Sequence, residues 1–289
     1  MIVCRTIDEA RAAIRDARKK RKKISFVPTM GALHDGHLSL LKIARESASF
    51  TAMSIFVNRI QFNDARDFDQ YPRDYDRDLA LIEENGCDMV FLPDDSIMYH
   101  NHATYVVPEK LDTYLCGASR PGHFRGVCTV VSKLFNIIQP DIAVFGQKDI
   151  QQVMILQKMV EDLNFPVVIR VAPIIREKDG LAMSSRNALL SVHEKARALS
   201  LHRALMHASK LISSGEKTSE VIEGGVRDII EREGKPVDID YITIVDYETL
   251  APVPEISRKS VLAVAAYFGT TRLIDNMIIT PGEKIPCVF

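Results

Sequence analysis

The first two-thirds of the chain alternates short apolar runs with longer segments in which apolar residues recur every three or four positions. A short uninterrupted apolar run predicts a buried strand, whereas the wider spacing predicts a helix. Such alternation is typical of a parallel sheet joined by right-handed crossovers, with helices on both faces. The predicted strands are residues 24–28, 51–57, 88–92, 142–145 and 167–171, and the predicted helices are residues 36–49, 75–85, 122–139 and 149–161.

The pattern changes after about Gly180. Two helical segments are followed by three apolar strands with no helix between them, which predicts a smaller α+β unit with an antiparallel sheet. We therefore expect a Rossmann-like domain over residues 1–180 and a smaller C-terminal α+β lid domain over residues 181–289. The predicted helices are residues 191–213 and 219–233, and the predicted strands are residues 240–246, 260–268 and 273–279.

The charge balance and the apolar runs argue against several kinds of partner. The 37 Lys and Arg are matched by 38 Asp and Glu, so no net field attracts nucleic acid. The longest apolar run, residues 261–268, is too short to span a bilayer. Charged residues interrupt the first positions, which argues against an export signal, and we expect a cytoplasmic enzyme with no membrane partner.

Neither the cysteines nor the one basic run indicates a special function. An odd, dispersed set of five cysteines without a CxxC pair is typical of reduced thiols rather than of disulfides or a zinc site. The short basic run at residues 18–23 is interpreted as the solvated end of a helix before a strand. The cysteines are Cys4, Cys87, Cys116, Cys128 and Cys287.

The strongest chemical signal follows the first predicted strand, where residues 28–37 are PTMGALHDGH. Ligands of open α/β sheets bind beyond the carboxyl ends of the strands, and a helix start offers unpaired N–H groups to phosphate. Gly31 and Gly36 allow close approach of a ligand, and His34 and His37 can face one side of the first turn. Ordinary capping also uses such histidines, but this context favours a nucleotide site that is neither GxGxxG nor a GK[ST] loop.

Two later segments carry groups that suit a nucleotide. Residues 145–152 are FGQKDIQQ, in which Lys148 can contact phosphate, Asp149 can bind a ribose hydroxyl or Mg²⁺ through water, and Gln152 shares the helix face of Asp149. Residues 182–187 are AMSSRN, whose hydroxyls and guanidinium can close over a triphosphate. Taken alone, ordinary capping explains the first segment equally well and the second better.

Two more segments add amides and cations. Asn58 and Gln61, in the run FVNRIQF, offer amides to hydroxyl and carboxylate groups. His123 lies between two arginines in the run RPGHFRG, which we expect to precede a helix and so to lie at its positive end. Each segment is also explained as ordinary loop chemistry, but together they gather polar groups after several strands of one sheet.

These five segments together resemble the pantothenate synthetase family, and the resemblance spans essentially the whole chain. The matched motifs are PTMGALHDGH, FVNxxQF, RPGHFRGV, FGQKDxQQ and AMSSRN, in the family's order. The family belongs to the nucleotidyltransferases that share an HxGH element with class I aminoacyl-tRNA synthetases, and SSRN is similar to their KMSKS-type signature. The resemblance implies a two-step reaction: pantoate attacks Mg·ATP to give pantoyl adenylate and pyrophosphate, and β-alanine then releases AMP.

The resemblance also implies roles for individual residues, a homodimer and Mg²⁺. The implied catalytic residues are His34, His37, Lys148 and Arg186, with His37 as the candidate proton donor. Pantoate is expected at Asn58, Gln61 and Gln152, β-alanine at Gln61, and Mg²⁺ at Asp149. The implied ATP contacts are Met30, Gly31, Ala32, Leu33, His34, Asp35, Gly36, His37, Gly146, Gln147, Lys148, Asp149, Ile175, Met183, Ser184, Ser185 and Arg186.

One position departs from the family pattern, because Arg59 stands where the family usually has Pro in FVNPxQF. Pro would fix φ and stiffen the loop that holds Gln61, so we expect Arg59 to loosen the pantoate site while activity survives.

Three other functions compete with this interpretation. Another HxGH nucleotidyltransferase acting on a small acid or a phosphorylated substrate is the nearest, although Gln61 and Gln152 favour a neutral or carboxylate-bearing substrate. A tRNA ligase is disfavoured because no basic surface is evident, and a non-catalytic nucleotide sensor would show no turnover. A metal site at His100 and His102 lacks a convincing set of further ligands.

Overall fold

The structure is a computed structural model that describes residues 1–283, so Cys287 lies outside the described residues. The chain divides into two compact units. The first contains Met1–Gln147 and Gln152–Pro173, and the second contains Lys148–Gln151 together with the chain from Ile174 onward. The short inclusion of Lys148–Gln151 in the second unit is a feature that no sequence periodicity indicates.

The first unit is built on a six-stranded sheet in which every pairing is parallel, as predicted. Phe26 and Val27 point to opposite faces of a strand, and both are fully buried, so both faces of the sheet are covered. The strand order is β1-β4-β3-β2-β5-β6. The strands are β1 Ile2–Cys4, β2 Ile24–Thr29, β3 Phe50–Ile55, β4 Met89–Phe91, β5 Ile142–Gly146 and β6 Val168–Ala172.

All four predicted helices of the first unit are present, but the sequence prediction omits the first strand, the first helix and three short helices of five residues each. The first helix starts with a capping box, in which Thr6 and Glu9 bond to each other's backbone N–H groups. It ends inside the basic run, as expected. The helices are α1 Ile7–Lys19, α2 Asp35–Ser47, α3 Ala65–Asp69, α4 Tyr75–Glu84, α5 Asp95–Tyr99, α6 Leu115–Ser119, α7 His123–Ile138 and α8 Ile150–Asp162.

The second unit carries a three-stranded antiparallel sheet in the order β7-β8-β9, which confirms the predicted change of pattern. Its helices pack on one face of the sheet, where Leu201, Leu205, Leu262 and Val264 share one hydrophobic cluster. The elements are α9 Val192–Ser213, α10 Ser219–Ile229, a π-helical turn Ile230–Gly234, β7 Asp238–Asp246, β8 Ser260–Phe268 and β9 Thr271–Ile279.

Candidate active site

The HxGH segment lies at the carboxyl end of β2, in the middle of the parallel sheet, and leads into α2. His34 is the N-cap of α2, and its Nδ1 accepts the backbone N–H of Gly36 at 3.1 Å. The Nδ1 of His37 accepts the backbone N–H of His34 at 3.3 Å, and the two rings lie 4.2 Å apart between centroids. The two histidines therefore cap the helix, and this capping fixes their orientation.

The capping bonds also fix the tautomer of both histidines. A backbone N–H can only donate, so the Nδ1 atoms of His34 and His37 must carry lone pairs. The proton of each neutral ring is then on Nε2. Each neutral ring thus has an acceptor at Nδ1, which caps the helix, and an N–H donor at Nε2.

A buried carboxylate from α4, which belongs to none of the five sequence motifs, shapes the loop before the histidines. Asp78 is fully buried and accepts the backbone N–H groups of Ala32 at 2.8 Å and Leu33 at 2.9 Å. Gly31 has φ +82°, and a Cβ there would lie 3.0 Å from the Asp78 carboxylate. A signal was available, because Asp78 lies one helical turn before the buried Ile82 and therefore on the buried face of α4.

The amides of the FVNRIQF run form one network rather than two separate ligand groups. The Nδ2 of Asn58 donates to Gln61 Oε1 at 2.8 Å and to the carbonyl of Gly126 at 3.1 Å. Its Oδ1 accepts from the Tyr99 hydroxyl at 2.5 Å. Both amide hydrogens of Asn58 are thus used within the protein, and its bond to Oε1 sets the orientation of the Gln61 amide, while a contact of Asn58 with pantoate stays a prediction.

Gln61 is the member of this pair that faces the HxGH segment. Its Nε2 lies 3.0 Å from the Sδ of Met30, which is a weak acceptor that a stronger one can replace. Because Met30 belongs to the HxGH loop, this contact brings together the expected pantoate and ATP segments within the first unit. Gly126 makes the packing behind Gln61 feasible, since a Cβ there would lie 2.5 Å from the carbonyl oxygen of Ile60.

The RPGHFRG run supports Gln61 from its backbone. His123 Nδ1 donates to the carbonyl of Gln61 at 2.8 Å, and Arg120 Nη1 donates to His123 Nε2 at 3.3 Å. As the predicted helix over residues 122–139 implies, α7 begins at His123 and includes Arg125 in its first turn, so Arg120 alone of the three basic residues precedes the helix. Arg125 covers the ring of Tyr105 at 4.3 Å, which is a packing role.

The FGQKD run turns from β5 into α8. Gly146 ends β5, and a 3₁₀ turn covers Gln147–Asp149. Lys148 is partly buried, Asp149 is exposed, and Gln152 is partly buried in the first turn of α8. Over residues 1–283, the carboxylate, imidazole and thiol groups form no cluster of three that could hold a metal ion.

The AMSSRN loop is held on a short hairpin of the second unit. Met183 donates its backbone N–H to the carbonyl of Ile175 at 2.9 Å, which brings these two expected ATP contacts together. Ser184 caps the 3₁₀ turn by accepting the Arg186 N–H at 3.2 Å, and the Arg186 side chain is exposed. Capping by a serine, one of the two explanations of this segment, is therefore observed at Ser184, within the loop that is expected to bind phosphate.

Together, the parallel sheet and the capped HxGH histidines at its carboxyl edge define a nucleotide-dependent α/β enzyme of the HxGH class. Comparison with known proteins identifies the family. The family model for pantoate–β-alanine ligase matches residues 2–278. The chain belongs to the pantoate–β-alanine ligase family, and it is an ATP-dependent ligase.

Individual relatives agree with this assignment. The pantothenate synthetase of Thermoanaerobacter sp. (strain X514) is 51% identical over 99% of this chain and 100% of its own length. The crystal structure of pantothenate synthetase from Thermus thermophilus is 41% identical, covers 97% of this chain and 100% of its own, and gives a TM-score of 0.91. Pantoate–β-alanine ligase from Francisella tularensis, complexed with "Beta-gamma ATP and Beta-alanine", is 32% identical with a TM-score of 0.77, covering 96% and 97% of the two chains.

Among residues 1–283, no helix combines the length and apolar character needed to cross a membrane.

Proposed function

We propose that the chain condenses pantoate with β-alanine through a pantoyl-adenylate intermediate, releasing pyrophosphate and AMP. The observation that carries this proposal is the placement of the Gln61 amide beside Met30 of the HxGH loop. A small acid bound by the Gln61 amide would lie next to the segment expected to bind ATP. The reaction is inferred from family membership. The Gln61–Met30 contact indicates where its first step would take place.

In the first step a carboxylate oxygen of pantoate attacks the α-phosphorus of ATP, and the bond from that phosphorus to the pyrophosphate oxygen breaks. No side chain has to act as a covalent nucleophile. The protein has to hold two anions together and stabilise the negative charge that develops on the leaving group. His34 and His37 can donate through Nε2, since their Nδ1 atoms accept backbone N–H groups.

The remaining ligand roles are proposals that follow the family resemblance. Lys148 and Arg186 offer positive charge to phosphates, and Ser184 and Ser185 offer hydroxyl groups. Gln152 and Gln61 would bind pantoate, and Gln61 would also contact β-alanine. Asn58 is assigned a positioning role, because its amide is used by Gln61, Gly126 and Tyr99.

Mg²⁺ would arrive with ATP and be held mainly by the phosphates, with Asp149 as the candidate protein group. One protein carboxylate is enough for this role, because Mg²⁺ commonly keeps several waters and takes few protein ligands. Bound there, the ion would neutralise phosphate charge. A homodimer and a cytoplasmic location are further proposals, which rest on the family resemblance.

The test is exchange of labelled pyrophosphate into ATP. We expect exchange with pantoate and none without it, followed by pantothenate and AMP formation when β-alanine is added. Exchange that depends on a phosphorylated acceptor instead would assign the chain to another nucleotidyltransferase reaction. ATP binding with no exchange under any of these conditions would make it a nucleotide sensor.

A further inference from the structure

Two adjacent polar residues are buried in the middle of β9, far along the chain from every segment discussed above. Asp275 is 2% exposed and Asn276 is 3% exposed. Burying such groups is unfavourable unless they are hydrogen-bonded, so their partners indicate what they do. Neighbouring strand residues point to opposite faces of a sheet, so the two side chains reach different surroundings.

Asn276 reaches the segment that carries Lys148. Its Nδ2 donates to the backbone carbonyl of Lys148 at 3.0 Å. Lys148 lies in a 3₁₀ turn, and Lys148–Gln151 belong to the same compact unit as β9. The bond therefore fixes the main chain from which the proposed phosphate-binding ammonium extends.

Asp275 reaches the hairpin that carries the AMSSRN loop. Its two oxygens accept from Arg176 Nη1 at 2.6 Å and Nη2 at 3.1 Å. Both side chains of this ion pair are buried, at 2% and 8% exposure. Arg176 Nη1 also donates to the carbonyl of Gly180 at 3.1 Å, and Arg176 pairs with Ala182 across the hairpin.

The hairpin is in turn continuous with the proposed ATP loop. Asn187, just beyond Arg186, donates to Glu177 Oε1 at 2.7 Å and to the carbonyl of Ala182 at 3.1 Å. A displacement of Arg176 would therefore be transmitted to both ends of Met183–Arg186. The bidentate geometry of an arginine–carboxylate pair makes this anchor specific in direction as well as strong.

We infer that Asp275 and Asn276 are positioning residues for the reaction. From one strand, β9, Asn276 anchors the Lys148 segment and Asp275 anchors the hairpin that carries the AMSSRN loop. The inference rests on the proposed roles of Lys148 and Arg186. Neither β9 residue has to touch a substrate. Each acts through the backbone of a segment that does, and the pair fixes the two phosphate-binding segments relative to each other within the second unit.

The decisive test uses Asn276→Ala, because it removes the hydrogen bond to the Lys148 carbonyl and leaves the buried ion pair intact. We expect the KM for ATP in pantoate-dependent pyrophosphate exchange to rise about three- to tenfold, the range set by one lost hydrogen bond, with the KM for pantoate unchanged. Asn276→Asp keeps the shape but replaces the donor with an acceptor facing the Lys148 carbonyl, and we expect a larger rise.

A double-mutant cycle separates positioning from general stabilisation. In a Lys148→Ala background, Asn276→Ala should have little further effect on the KM for ATP, because the group that it positions is gone. Arg272→Ala is the matched control, since it removes the Arg272–Asp240 ion pair from the same strand without touching Lys148. It should lower the melting temperature and leave the KM for ATP unchanged.

The outcomes distinguish this inference from the proposed function. An unchanged KM for ATP in Asn276→Ala, or an effect of equal size with and without Lys148, would overturn the positioning role while leaving the ligase activity standing. Absence of pantoate-dependent exchange in the unmodified protein would instead overturn the proposed function.

Discussion

Asp78 accepts the backbone N–H of Leu33 at 2.9 Å from a position 45 residues further along the chain. Its second oxygen accepts from Ala32, so one carboxylate holds the turn that leads to the histidines. We predict that Asp78→Asn lowers the free energy of unfolding by about 1–3 kcal/mol, because the amide NH₂ would face a backbone N–H and leave it unsatisfied. Thermal melting and the KM for ATP should both report the change.

The control for this variant is Asp76→Asn, which removes the same charge from an exposed position in the first turn of α4. It should leave both the melting temperature and the KM for ATP near their original values. If Asp78→Asn behaved in the same way, the carboxylate would have no part in shaping the HxGH loop.

Tyr99→Phe tests whether the hydrogen bonds from Tyr99 to Asn58 and from Asn58 to Gln61 orient the Gln61 amide. Burial raises the pKa of the Tyr99 phenol above its ordinary range, so the hydroxyl stays protonated and donates to Asn58. Without that bond Asn58 can turn away from Gln61, and we predict that the KM for pantoate rises about three- to tenfold while the KM for ATP is unchanged. Tyr105→Phe removes a nearby hydroxyl as a control. An equal rise in the KM for pantoate in that variant would contradict the role of the Tyr99 hydrogen bond.

His37 has two functions that side-chain replacements can separate. Asn places an acceptor where Nδ1 lies and keeps the cap on His34, but it has no donor at the Nε2 position. We predict that His37→Asn keeps the melting temperature and lowers pantoate-dependent exchange about 10²–10³-fold. His37→Ala should lower exchange to the same extent. His37→Gln places a donor near the Nε2 position and should retain part of the activity. Exchange near the unmodified rate in His37→Asn would remove the imidazole from the mechanism.

Arg59→Pro tests the departure from the family pattern. Arg59 is the first residue of a 3₁₀ turn after an extended Asn58, and this position suits proline because its N–H has no acceptor within the turn. We predict a gain of about 0.4–1 kcal/mol in the free energy of unfolding, since proline restricts the unfolded chain. The hydrogen bonds of Asn58 already hold Gln61, so the KM for pantoate should be nearly unchanged. A large fall in that KM would show that Arg59 does loosen the site.

His202 makes the stability of the second unit depend on pH. Burial, and then the charge of Arg176, lower the pKa of His202 below its ordinary value of 6.5. The unfolded chain therefore binds a proton at a higher pH than the folded chain does, and stability is lost as the pH falls through 6.5. We predict that the melting temperature falls less between about pH 7 and pH 5.5 in His202→Gln than in the unmodified protein. An identical pH dependence in both proteins would contradict this assignment.

The sequence predicted what depends on local pattern. The parallel sheet, the HxGH segment at the end of β2 and the antiparallel second unit follow from periodicity and from residues adjacent in the chain. β1 is only three residues long and was missed, since so short an apolar run carries no period. The family resemblance supplied the reaction and most of the proposed ligands.

Hydrogen bonds between residues far apart in the chain could not be predicted from the sequence. Asp78, Tyr99 and Asn276 each act on a segment 41 to 128 residues away. Spacing along a chain contains no information about which distant backbone N–H or carbonyl a side chain will meet. Asn58 illustrates the same limit, because its bonds to Gln61, Gly126 and Tyr99 could not be predicted from the run FVNRIQF.

The grouping of Lys148–Gln151 with the later part of the chain limits how this protein can be dissected. A fragment ending at Pro173 would contain every strand of the parallel sheet, yet its Lys148 carbonyl would lack the Asn276 amide. A chimera that exchanges the C-terminal portion between relatives would likewise replace the anchor of a segment that it retains. Successful recombination should therefore transfer residues 148–151 together with β9.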